Sequence, residues 1–94
     1  MTLSAAEHFE WLALRRVSRG GMTRDQGSGF VDFGQPLGEF LAEVVTELIE
    51  QQLLDIGEAS PRDGLARVRH TDAGQARYAQ LCRKQRRAAP RSTG

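Results

Sequence analysis

Between Pro36 and Gly57 the apolar residues Leu37, Leu41, Val44, Val45 and Leu48 recur at the intervals that put side chains on one stripe of an α-helix. Such a stripe is stable only when buried, so the rest of a 94-residue chain must supply a single core around it. Pro36 suits a first helical turn, where a missing N–H loses no partner, and Gly57 is a helix breaker. The predicted helix therefore runs from Pro36 to Ile56, a span of about 30 Å. Glu39, Glu43, Glu47 and Glu50 follow one another at spacings of four, four and three, which aligns them on its outward face.

Other elements can be read on either side of this helix. Ser4 and Glu7 form the S-x-x-E capping box, in which a hydroxyl and a carboxylate satisfy each other's backbone N–H groups. Phe9, Leu12, Ala13 and Arg16 then repeat at helical spacing, with Trp11 at the margin of the apolar stripe, until Gly20-Gly21 stops the helix. Residues 20–35 lose periodicity and are expected to form a loop, with Gly29–Phe33 as a possible short strand. Their glycines do not make a phosphate-binding G-x-G-x-x-G, because Asp32 stands where the third glycine belongs. After the long helix, Ala59-Ser60-Pro61-Arg62-Asp63-Gly64 is dense in turn residues and predicts a β-hairpin, with Leu53–Ile56 leading in and Leu65–His70 returning. On the return strand Ala66, Val68 and His70 share one face, and Leu65, Arg67 and Arg69 share the other. Thr71 is placed to cap a last helix from Asp72 to about Arg87, and residues 88–94 are expected to be a disordered tail.

Charge is sharply segregated although the net value is only +1. Residues 1–24 carry +2, residues 25–58 carry −8 with no basic residue, and residues 59–94 carry +7. Either the basic third presents a surface to nucleic acid, or the two halves neutralise each other within the fold. With 39% hydrophobic residues the chain can build one modest core. No apolar run approaches the ~20 residues of a membrane span, and the N-terminus lacks a secretory pattern. A lone Cys82 excludes an internal disulfide, and together these features predict a cytoplasmic protein.

The run Val45–Leu54, then Arg67-Val68-Arg69-His70-Thr71-Asp72-Ala73-Gly74, resembles the C-terminal half of MarR- and PadR-type bacterial regulators. In those families a recognition helix leads into a hairpin wing, and a strand ending in Thr-x-x-Gly starts the next helix. The resemblance covers about residues 44–80 and implies an α+β, mostly helical, winged-helix-like domain of three helices plus a β-hairpin wing over residues 1–87. It also implies a small DNA-associated transcriptional regulator.

The helix that would enter the major groove carries Glu39, Glu43, Glu47 and Glu50 and no basic residue, so phosphates would repel it. Contacts to double-stranded DNA are therefore expected from the wing, through Arg62, Arg67 and Arg69, and from the last helix, through Arg83, Lys84, Arg86 and Arg87. The plainer alternatives are cross-strand pairing of the wing arginines with Asp55 or Glu58, and favourable interaction of the terminal cations with the helix dipole. A different reading makes the chain a protein-interaction or homodimerising module, docking through the four glutamates and Trp11. His8, His70 and Cys82 lack the paired spacing of a metal site, no nucleophile has a supporting motif, and no cofactor is implied. The expectation is a non-enzymatic protein.

Overall fold

A computed structural model describes residues 3–25 and 29–88, with the side chains of Arg87 and Ala88 excepted. Of the predicted tail 88–94, Ala88 is the last residue of the third helix and residues 89–94 lie outside the described residues. Helix α1 spans Ala5–Ser18 and is followed by three strands, β1 (Met22–Asp25), β2 (Gly29–Asp32) and β3 (Gln35–Pro36). Helix α2 (Glu39–Glu50), the hairpin β4 (Leu54–Ala59) and β5 (Leu65–His70), and helix α3 (Asp72–Ala88) complete the chain. Among the described residues the fold is α+β, with three helices and a five-stranded antiparallel sheet ordered β3-β2-β1-β5-β4.

The capping box forms as the sequence predicts. The Ser4 hydroxyl accepts from the Glu7 amide at 3.1 Å, and the Glu7 carboxylate accepts from the Ser4 amide at 3.1 Å. Leu14 and Val17 then enter the core with Met22, Val45, Leu48, Leu54, Val68 and Leu81. Cross-strand register places Met22, Ala66, Val68 and Leu54 on the sheet face beneath the helices. Alternation turns Thr23, Arg67, Arg69 and Asp55 to the opposite face.

Two expectations are corrected. The expected loop between α1 and α2 carries three strands, of which β2 matches the short strand expected at Gly29–Phe33 while β1 and β3 do not follow from the sequence; β1 pairs directly with the hairpin strand β5. The β2–β3 turn puts Phe33 and Gly34 at φ +49° and +82°, the two-residue mirror-image turn whose twist matches the strands it joins. Helix α2 is also much shorter than predicted. Pro36 belongs to β3, and Leu54–Ile56 belongs to β4 rather than to the helix. The stripe fails where residues 51 and 52, next due to face inward, are both glutamine. Between α1 and α2 the described residues contain strands and no helix, so no helix-turn precedes α2.

Candidate functional site

The hairpin turn is closed by its own polar groups. The Ser60 amide donates to the Leu65 carbonyl and the Gly64 amide to the Ser60 carbonyl, each at 2.8 Å. The Ser60 hydroxyl accepts from the Arg62 amide at 3.2 Å, and the Asp63 carboxylate accepts from the Leu65 amide at 3.0 Å. With its backbone fixed in this way, the Arg62 side chain is left exposed at the tip. Along β5 the predicted alternation holds, with Ala66 and Val68 buried and Arg67 and Arg69 exposed.

Arg69 lies opposite Asp55 and its guanidinium reaches the carboxylate at 3.4 Å. Both side chains are more than half exposed, so this pair contributes about 0–1 kcal/mol and leaves Arg69 easily withdrawn. Arg67 makes no ion pair among the described residues. The pairing of β1 with β5 brings a further cation beside the hairpin: Arg24 lies opposite Ala66. It is exposed, and its guanidinium sits 5.7 Å from the centroid of the Phe30 ring. Recognising Met22–Asp25 as a strand would have found it.

Arg24 and Arg67 stand at neighbouring register positions on opposite faces of the sheet. On the Arg24 side an open hollow of about 350 Å³ is lined by Ile56, Gly57, Ala59, Gly64 and Ala66. Apart from Ile56 these residues are glycine or alanine, which lets a bulky group approach the ribbon closely. A β-bulge between Ile56 and Ala59 bends β4 at this point. The ribbon also carries Asp55, Glu58 and Asp63, all exposed, so its cations are not a one-sign patch.

The C-terminal cations divide into two sets. Lys84 donates to Glu7 at 2.6 Å, while Arg77 holds Glu10 through two hydrogen bonds of 2.8 and 2.9 Å. Lys84 and the Ser4 amide hold the Glu7 carboxyl below its ordinary pKa of 4.5. Lys84, expected to contact DNA, thus ties α3 to α1. Arg83 and Arg86 are exposed and unpaired among the described residues, and the side chain of Arg87 lies outside them. These arginines do not join the hairpin set. Helix α3 meets β5 near its start, where Tyr78 faces His70 at 5.6 Å, and its later turns follow α1 toward Glu7.

Glu39, Glu43, Glu47 and Glu50 are exposed and make no ion pair among the described residues. The acidic and basic segments are therefore not neutralised through this face. Among the described ion pairs only Arg69–Asp55 joins the acidic segment to the basic third; Arg16–Asp32 ties the acidic segment to α1, and Arg77 and Lys84 pair with Glu7 and Glu10 of α1. Trp11 is half-buried against the core under Arg15, whose guanidinium lies 5.3 Å from the ring. The exposed aromatic beside the glutamates is Phe40, 53% exposed, with its ring 4.4 Å from that of Phe9.

His70 Nε2 lies 2.8 Å from the Leu14 carbonyl, which puts a proton on that nitrogen and gives this residue a part in joining β5 to α1. Among the described residues no three His, Cys, Asp or Glu side chains gather as a metal site. No helix among them is long and apolar enough to cross a membrane. Comparison with protein-family models, with curated proteins and with solved structures finds no match to this chain.

Proposed function

We propose that this chain is a winged-helix-like, DNA-associated protein that grips duplex DNA with the β4–β5 ribbon rather than with a base-reading helix. The observation that carries the reading is the ribbon end, where Arg24, Arg62 and Arg67 are exposed and free of ion pairs among the described residues. Guanidinium groups on both faces of a ribbon suit a groove, whose two walls are rows of phosphate. Arg69 can join them at the cost of a weak, exposed pair with Asp55.

Helix α2 has a different part. Its four glutamates, without ion pairs among the described residues, would meet phosphate repulsion in a major groove, and it lacks the Arg and Asn side chains that read base edges. The carboxylates Asp55, Glu58 and Asp63 within the ribbon also reduce long-range attraction. Binding is therefore expected to be modest in affinity, tolerant of sequence and sensitive to salt. Such a contact would serve a small transcriptional regulator.

The test is fluorescence anisotropy with a labelled duplex over a salt series. Three neutralised phosphates predict a slope of log affinity against log salt near −2.7, at about −0.9 for each. Replacing both Arg62 and Arg67 with alanine should reduce the slope by about 1.8. Absence of binding at low salt, or a slope unmoved by the double substitution, would overturn the proposal.

A further inference from the structure

Helices α1 and α2 enclose an open groove of about 280 Å³, lined on one side by Ala6, Phe9 and Glu10 and on the other chiefly by Phe40, Glu43, Val44 and Glu47. Its floor is apolar and its rim acidic. Glu10 is already held by Arg77, but Glu43 and Glu47 have no cation among the described residues, and Phe40 is half exposed above them. A complementary occupant needs a small apolar surface to receive Phe40 and two cations about one helical turn away.

The chain itself carries that surface. On α3 the residues Ala76, Ala79, Arg83 and Arg86 are all exposed, and their spacings of three, four and three place them on one face. Neither arginine is paired among the described residues, and both lie beyond the ribbon that the DNA reading uses. If a second copy's α3 runs parallel to α2, Phe40 falls opposite Ala79, and Glu43 and Glu47 fall opposite Arg83 and Arg86. The alanines permit close approach, as small residues do wherever helices pack tightly.

We infer that the α1–α2 groove receives the Ala76–Arg86 face of α3 from a second copy of this chain. A two-fold axis would make the contact twice, with each copy giving one α3 and one groove. The apolar contact at Phe40 supplies affinity, and the Glu–Arg pairs set orientation and register. The resulting dimer would present two ribbons, but the inference stands whether or not those ribbons bind DNA.

Sedimentation equilibrium with charge-swapped variants tests it. The unaltered chain should self-associate. The double substitutions Glu43→Arg/Glu47→Arg and Arg83→Glu/Arg86→Glu should each weaken self-association by roughly tenfold or more, through like-charge repulsion. An equimolar mixture of the two variants should recover association as a heterodimer. Phe40→Ser, with a circular dichroism spectrum unchanged from the original, should also be monomeric. A wild-type chain that stays monomeric at its highest soluble concentration would overturn the inference. So would association indifferent to both swaps, or a mixture that fails to recover it. The DNA slope is read separately on Arg62→Ala/Arg67→Ala, so failure of one proposal is distinguishable from failure of the other.

Discussion

Gly74 sits in the first turn of α3 with its amide donating to the Thr71 hydroxyl at 3.0 Å. Thr71 also binds the end of α2, its own hydroxyl donating to the Gln52 carbonyl at 2.7 Å and its amide to the Leu53 carbonyl at 3.1 Å. The Thr-x-x-Gly motif therefore ties the close of the hairpin to the close of α2. A β-carbon on Gly74 would collide with the Leu53 carbonyl, a backbone group that cannot turn aside. Gly74→Ala should accordingly destabilise the fold by about 2–3 kcal/mol despite alanine's better helix propensity, as measured by urea unfolding. The sequence offered the cap at Thr71 but not the close approach at Gly74, because Leu53 reaches that point only through packing.

Helix α2 ends because of its backbone, not because of a breaker residue. The Leu53 amide donates back to Leu48 at 2.9 Å and the Gln52 amide to Ile49 at 3.0 Å, with Gln52 in the left-handed region at φ +63°. This is the Schellman arrangement, in which glycine usually occupies the position that Gln52 holds here. Gln52→Gly should therefore raise stability by about 0.5–1 kcal/mol, once the gain is set against the greater freedom of glycine in the unfolded chain. Thermal unfolding reads that as an upward Tm shift of about 4–8 °C per kcal/mol. The strand after it is legible at its start and hidden at its far end. Leu54, Asp55 and Ile56 read both as the close of the helix and as the strand leading into the hairpin, whereas Gly57 reads as a helix breaker and Ala59 as part of the turn, yet both belong to β4. Of the three strands before α2 only β2 is legible, as the short strand expected at Gly29–Phe33; β1 and β3 are hidden for a related reason. Strands of two to four residues are too short for an alternating pattern to stand out among five glycines.

Over the whole molecule, charge does two jobs in two places. The pairs of α1 with α3 are partly sheltered and lock the terminal helices together, whereas the ribbon arginines and the α2 glutamates face solvent. Glu7 is central to the first job. Its carboxyl titrates below 4.5 in the folded protein, so it contributes stability above the unfolded value that is lost as pH falls through the lowered one. Chemical denaturation between neutral pH and pH 3 should show a decline beginning below about 4.5, and Glu7→Gln should flatten part of it. An unaltered decline in that variant would place the acid sensitivity elsewhere.

What the residues determined unaided was local. The capping box of α1, the apolar stripe of α2, the turn at Ser60–Gly64, the alternation of β5 and the start of α3 each rest on interactions within a few positions. Those interactions depend on spacing, and spacing is visible in a one-dimensional string. Which arginine met a carboxylate was decided only when the chain closed. Lys84 found Glu7 and Arg77 found Glu10 across more than sixty residues, while Arg24 came beside the hairpin through the pairing of β1 with β5. Charge is blind to sequence separation and acts through distance and dielectric, so the division between cations that hold the fold and cations left to face a partner belonged to the tertiary structure.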